Sequence, residues 1–412
     1  MKSIIAVSVA VGLAGVISQA QAPSSARAFT GARLFDGTDR APIDNATIVV
    51  QNGRIVAAGP AASVTIPSGA ERVSLTGKTV IPGLINAHGH VNDTARDLAT
   101  YGAYGVTTVY SLGDEKPDAF AARDAQGTPS LSHSRVFVAG PVLNPKTPAE
   151  ARELVAKNVD MKVNVIKIRV DDNLGTTPKM APDIYRAVID ESHKRGFRTA
   201  VHLFYLADAK SVLDAGADLI AHSVRDAEVD AQVIGQLKAR NICVVPTLMR
   251  EVSTFVYDKT PDFFADPFFQ GHANAAWVKD LKDPAAQAKV AASTSAQKYK
   301  AALEVAKRNV KKLADSGVTI AMGTDTGPVG RFQGYFELME IEMMVQAGLT
   351  PKQALIASTR DAARCQKIDA DLGTIEAKKW ADFVVLDADP LLAIGNVRKI
   401  NAVYVAGNKI AR

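Results

Sequence analysis

The sequence predicts an α/β protein: a (β/α)8 TIM-like barrel with a small β-sandwich domain formed by both chain ends. Three observations predict it. Eight short β-rich runs alternate with helical patterns through the middle of the chain. The two ends are β-like with almost no helix. The length, 412 residues, suits a barrel of ~250 residues with additions. The boundaries that follow are a signal peptide over 1–20, a small β domain over 28–80 plus 369–412, and the barrel over 81–368.

Met1-Lys2 supplies a positive start, Ile4 to Ile17 is an apolar run broken only by small residues, and Ser18-Gln19-Ala20 offers the small residues that signal peptidase reads. A second such site ends at Ala22, but Pro23 follows it, which favours the cut after Ala20. The run is short for a membrane span. The mature protein is therefore expected to be secreted or periplasmic, with no membrane contact after cleavage. Asn45–Val50 and Arg54–Ala58 flank Gln51-Asn52-Gly53, a hairpin signal, because Asn-Gly accepts the left-handed backbone of a tight turn. Barrel strands are expected at Val80–Ile85, Val106–Leu112, Arg135–Ala139, Val163–Val170, Thr199–Leu203, Leu219–His222, Ile242–Leu248 and Thr319–Gly323. Helices Tyr185–Arg195 and Ala207–Ala215 end at Gly196 and Gly216. Asp283-Pro284 opens a helix expected to run to Ser316. The stretch from Arg250 to Trp277 carries Phe255, Tyr257, Phe263, Phe264, Phe268, Phe269 and Trp277, and serves either as a pocket wall or as a packing insertion. In the tail, Phe383–Leu386 and Val403–Val405 are strands, with a turn at Gly407-Asn408.

An apolar content of 47% and a charged content of 22% describe a soluble globule. The net charge of +5 becomes +4 once Lys2 leaves, and the basic residues are spread out, which argues against a nucleic-acid partner. Lys307-Arg308 and Lys311-Lys312 read as the solvated face of a helix. Cys243 and Cys365 lack zinc-finger spacing and are read as two packed thiols, with no bridge between them. A homo-oligomer is left open.

His88-Gly89-His90 ends the first barrel strand. Alternate strand residues face the same side, so both imidazoles can point to the barrel axis. His202 ends strand five, His222 ends strand six, and Asp325 follows strand eight. The C-terminal ends of barrel strands converge on one rim, so residues far apart in sequence meet there. Four His and one Asp suit zinc, with manganese or iron as alternatives. Lys167, within Val165-Ile166-Lys167-Ile168, stands in an apolar strand and must find a partner or lose its charge. It is either a neutral or salt-bridged structural lysine, or one carboxylated by CO2 to bridge two metals.

At these residues the chain resembles the amidohydrolase superfamily. The resemblance rests on Val80-Ile81-Pro82-Gly83-Leu84-Ile85-Asn86-Ala87-His88-Gly89-His90, on Lys167, His202, His222 and Thr324-Asp325, and on Leu372-Gly373-Thr374-Ile375-Glu376 followed by Ala381-Asp382-Phe383-Val384-Val385-Leu386. The branch it looks most like holds secreted dipeptidases of the prolidase and Xaa-Arg type. The resemblance implies two divalent ions, zinc first: His88, His90 and Asp325 on one, His202 and His222 on the other, and N6-carboxylated Lys167 between them. Dipeptidases of that branch often carry a longer glycine- and histidine-rich segment after strand three, whereas here Ala139-Gly140-Pro141-Val142-Leu143-Asn144 is short.

The expected reaction is hydrolysis of an amide or peptide bond in a dipeptide or N-acyl amino acid. A metal-bound hydroxide attacks, and Asp325 moves the proton. Tyr205, Arg225, Arg250 and Arg331 are candidates to hold the substrate carboxylate, with Arg169 beside Lys167. Two other readings stand beside this one: a mononuclear deaminase or cyclic amidase of the same superfamily, and a non-catalytic periplasmic metal-binding protein. Tyr205 occupies the place where such deaminases usually carry Glu, and all six ligand positions are filled.

Overall fold

A computed structural model describes residues 26–411, so the signal peptide read at 1–20 lies outside the described residues. The start of the chain forms β1 (Arg27–Leu34), β2 (Ile43–Gln51), β3 (Arg54–Pro60), β4 (Glu71–Ser74) and β5 (Thr79–Pro82). The middle supplies β6 (Leu84–Gly89), β7 (Val106–Ser111), β8 (Arg135–Phe137), β9 (Ile166–Arg169), β10 (Thr199–His202), β11 (Leu219–Ile220) and β12 (Cys243–Val244). The tail adds β13 (Phe383–Leu386), β14 (Ile400–Val405) and β15 (Asn408–Lys409).

Both chain ends enter one sheet, in the order β15-β14-β13-β5-β1-β2-β3, with β4 pairing beside β5 on β1. The hairpin β2–β3 turns at Asn52 and Gly53, whose φ values of 51° and 76° are those an Asn-Gly turn supplies at low cost. Phe29, Phe383 and Tyr404 meet with ring centroids 4.8–5.0 Å apart and form the centre of this sheet's core.

The middle strands form two parallel sheets, β6-β7-β8 and β9-β10-β11-β12. Backbone hydrogen bonds join them at both edges. Leu143 N–H donates to the Lys167 carbonyl at 2.9 Å on one side, and Ala321 N–H to the Val244 carbonyl at 3.0 Å on the other. Ala87 N–H then reaches the Met322 carbonyl at 2.8 Å. Small inward side chains fill the interior: Ala87, Ala200, Ala221, Ala321 and Val245. Helices 94–103, 182–194, 206–214 and 294–315 cover the outside.

Four expectations need correction. The first barrel strand, expected at Val80–Ile85, is split: Thr79–Pro82 belongs to the sheet of the chain ends and Leu84–Gly89 to the parallel strands, with Gly83 between them donating to the Asp382 carbonyl at 2.9 Å. The strand expected at Thr319–Gly323 exists only as isolated bridges at Ile320 and Thr326. Thr324 and Asp325 both turn their N–H groups onto the His88 carbonyl, at 3.0 and 2.7 Å, and this breaks the ladder. The helix expected from 283 to 316 is two helices, Pro284–Ala291 and Thr294–Asp315. Ser293, in extended conformation, caps the second through Ala296 N–H. Finally, Cys243 and Cys365 are not separate thiols but a disulfide, with Cα atoms 5.8 Å apart. Their sequence separation concealed this. Helix Arg360–Gln366 packs beneath the parallel strands, where Gln366 Nε2 donates to the Ala87 carbonyl at 2.7 Å and so brings Cys365 to β12.

The aromatic stretch after β12 packs on itself and on Phe332, Tyr335 and Phe336. Phe264, Phe269 and Phe332 are buried with centroids 4.8–6.0 Å apart, so the segment is built as a wall. No helix among the described residues is long and apolar enough to cross a membrane.

Candidate metal centre

β6 carries its last residues to the middle of the molecule. Gly89 is required there, because a Cβ would lie 2.7 Å from both Asn86 Nδ2 and the Tyr101 hydroxyl. His88 and His90 flank it, and both imidazoles approach one carboxylate oxygen. His88 Nε2 lies 3.3 Å and His90 Nε2 2.9 Å from Asp325 Oδ1. Asp325 is held in left-handed backbone, φ 58°, by its own bond to the His88 carbonyl. Its second oxygen is paired with Arg331 Nη1.

His202 and His222 come from the ends of β10 and β11. Their rings lie 4.1 Å apart, and His222 is 4.7 Å from His88, centroid to centroid. Lys167 Nζ is 3.4 Å from His88 Nε2. All six residues predicted from the sequence therefore come together. Donor atoms of His88, His222 and Asp325 lie within 4.8 Å of one another.

Burial sets the charge of this cluster. It lowers the pKa of His88 and His222 well below the usual imidazole range and that of His202 to about 3. These rings are neutral with lone pairs available. Burial likewise depresses the Lys167 ammonium to about 8, against a pull from Asp325. Burial opposes charge on Asp325, but Arg331 and the two histidines outweigh it and keep it ionised. His222 Nε2 and His88 Nδ1 are buried without a hydrogen-bond partner. Two neutral imidazoles that each keep an orphaned nitrogen, clustered within 4.8 Å of an ionised carboxylate, fit a divalent cation.

Three of the four rings are also held by partners outside the cluster. His222 Nδ1 meets Thr247 Oγ1 at 2.6 Å, His90 Nδ1 the Gly113 carbonyl at 3.3 Å, and His202 Nε2 the Asp171 carboxylate at 2.9 Å. Behind the cluster, Thr324, Thr326 and Asn86 all donate to Glu337 Oε1, at 2.6, 2.6 and 2.5 Å. Burial pushes Glu337 up to about 7, partly offset by the two threonines.

The predicted substrate-binding residues divide. Arg331 is inside the site through Asp325. Arg225 and Arg250 share buried Glu251, at 3.0 and 3.2 Å. Arg250 is further absorbed by Tyr299, bonded at 3.2 Å and stacked at 4.4 Å. Arg225 donates to the Leu203 and Ser223 carbonyls, yet its Nη2 is buried without a partner. The Tyr205 hydroxyl donates to Asp172 at 2.8 Å, and Arg169 Nε to Asp171 at 2.8 Å. Sequence reasoning missed Asp171, Thr247, Glu251 and Glu337. Asp171 alone had a signal, since it continues the alternation Lys167, Arg169, Asp171.

Comparison with known proteins supplies the context. A model of the amidohydrolase family matches residues 79–410. Imidazolonepropionase of Mycolicibacterium smegmatis is 24% identical over 366 residues, covering 84% of this chain and 85% of the relative. Among solved structures, a Bifidobacterium longum protein assigned as a prolidase superposes with a TM-score of 0.77 at 26% identity, covering 94% of this chain and 95% of its own. A Xaa-Pro dipeptidase with methionine bound in its active site gives 0.75 at 20% identity, covering 94% of this chain and all of its own.

Proposed function

The chain belongs to the amidohydrolase family and is a hydrolase of C–N bonds, and from that premise we propose that it cleaves the amide of a dipeptide or N-acyl amino acid beside a free carboxylate. One observation carries this reading: four imidazoles, Asp325 and Lys167 converge on one buried spot with guanidiniums around it. His88, His90 and Asp325 would hold one divalent ion and His202 and His222 a second, most plainly zinc. Such ions supply Lewis acidity to a carbonyl oxygen and make water a nucleophile near neutral pH.

The chain's own residues do the rest. Lys167 Nζ, neutral above a pKa of about 8, adds to CO2 and loses a proton, leaving a two-oxygen anion between the histidine pairs. Asp325 takes the proton from the attacking water and passes it to the leaving nitrogen, while Arg331 fixes its other oxygen. Arg225 keeps one unpartnered donor, Nη2, and its charge is felt by both His202 and His222. It is our first choice for the substrate carboxylate, ahead of Tyr205 and Arg331, which are engaged by Asp172 and Asp325, and of Arg250, whose Nε is unpartnered but whose terminal nitrogens are held by Glu251 and Tyr299.

The two parallel sheets, joined through residues 319–326, are read as a closed (β/α)8 barrel over 81–368, with 28–80 and 369–412 as its satellite β-sandwich. Secretion to an oxidising compartment, after loss of residues 1–20, accords with the disulfide.

The test is a screen of dipeptides and N-acyl amino acids, followed by the best substrate as free acid and as amide. The free acid is expected to be preferred in kcat/KM by at least tenfold, since a charge-assisted bond contributes roughly 1.5–3 kcal/mol. Equal values would remove the carboxylate clamp.

A further inference from the structure

One buried carboxylate beside the cluster has no part in the chemistry above. Asp171 lies just past β9, where Lys167, Arg169 and Asp171 alternate along one side of the chain. Its side chain is 2% exposed. Oδ2 meets His202 Nε2 at 2.9 Å, and Oδ1 accepts from Arg169 Nε at 2.8 Å and from Asn173 N–H at 3.2 Å. His88 and His90 lean through Nε2 on Asp325, itself paired with Arg331, while His222 and the other nitrogen of His90 meet neutral oxygens, Thr247 Oγ1 and the Gly113 carbonyl. His202 leans on a second ionised group, Asp171, which Arg169 holds in place.

We propose that Asp171 is a positioning residue for metal binding: it fixes the His202 tautomer, so that the hydrogen sits on Nε2 and the Nδ1 lone pair is left for the ion. The proposal rests on the two-ion reading above. A carboxylate has no hydrogen to give, so the ring nitrogen facing it must carry one, and a neutral imidazole has only one. The other nitrogen is then a ligand by necessity. The carboxylate also strengthens that ligand, because charge drawn toward the ion is balanced behind the ring. Arg169 completes a relay, Arg169–Asp171–His202, that holds the ring plane as well as the proton.

Asp171 also anchors the turn at 171–173, which would be a purely structural role. Asp171→Asn separates the two. It keeps the size and the acceptor for Asn173 N–H, but its amide can turn an NH2 toward His202 and stabilise the opposite tautomer. Asp171→Glu restores the charge. The experiment strips the whole protein with a chelator and titrates Zn2+ against a chromophoric competitor, with bicarbonate present, for wild type, Asp171→Asn and Asp171→Glu. Thermal melts confirm that each variant is folded.

The expected result is two ions on wild type. Asp171→Asn should hold the first with unchanged affinity and the second about 10- to 100-fold more weakly, with Asp171→Glu in between. The Co2+-loaded spectrum should change for the weakened ion only. If Asp171→Asn binds both ions as wild type does, Asp171 is only a turn anchor and the proposal is overturned. Tighter binding by Asp171→Asn would overturn it equally, since Asp171 would then compete with the ion for His202. A wild-type protein that takes fewer than two ions overturns the two-ion reading itself, and the inference with it, before any variant is compared.

Discussion

Lys167 is the residue on which the electrostatics of the centre turn. In the proposed two-ion centre the dications would repel strongly at short range, four neutral imidazoles would not offset them, and Asp325 would supply a single negative charge. Carboxylation would turn a buried cation into the missing anion. Lys167→Ala is therefore expected to lose metal and nearly all activity, and Lys167→Glu, which reaches less far, to regain part of both. Short carboxylic acids added to Lys167→Ala should rescue it partially. Metal content and rate at wild-type levels in Lys167→Ala would make the lysine merely structural. The depressed pKa of about 8 also sets a direction with pH. At fixed dissolved CO2, metal loading of the stripped protein should be faster at pH 8.5 than at pH 6.5 by roughly 25-fold, the ratio of neutral amine. In the uncarboxylated protein the same shift costs stability. The penalty is absent above the ordinary 10.5 and fully developed below about 8, so the stripped protein should melt lower as pH falls through that window. The six candidate ligand positions could be seen in the sequence because each lies within, at the end of or just after a β-rich run. Glu251 and Glu337 could not, because a carboxylate on a helix looks solvated until its partners are known, and Asp171 left only the alternation that continues from Lys167 and Arg169.

Among the elements, most strands and the hairpin were legible because they depend on local chemistry, apolar runs and an Asn-Gly turn, whereas the run at Val80–Ile85 is divided at Gly83 between two sheets. The eighth strand was misread because tertiary hydrogen bonds to His88 override its β-rich composition. The long helix was misread because one serine in extended conformation divides it. Contacts between elements leave less trace still. Arg135 of β8 pairs with Asp382 just before β13, at 2.6 and 3.2 Å, and stacks on Trp380, with both charged groups almost fully buried. Asp382 also accepts from Ala406 N–H at 2.7 Å. This link fastens the end-built sheet to the parallel strands. Asp382→Ala leaves a buried guanidinium uncompensated and should cost about 3–5 kcal/mol in chemical denaturation. The double variant Arg135→Met, Asp382→Leu should recover much of that loss. A single variant within 1 kcal/mol of wild type would show that the two units do not depend on this pair.

At the scale of the whole molecule, the disulfide ties the last strand of the second parallel sheet to a helix 122 residues later. Cys243→Ser with Cys365→Ser is expected to lose about 2–5 kcal/mol of stability, and reductant should lower the wild-type midpoint toward that of the double variant. Coincident midpoints with and without reductant would assign the pair no stabilising role. The sheet made from both chain ends has a consequence in time. On a ribosome, β5 is made early, and its neighbour β13 begins only at Phe383, roughly 300 residues later. At the usual pace of synthesis that is a wait of roughly 15–60 s with one edge of β5 open. Completion of this sheet is thus deferred until Phe383–Leu386 has been made, and a product truncated before Phe383 keeps that edge exposed for other chains to pair with.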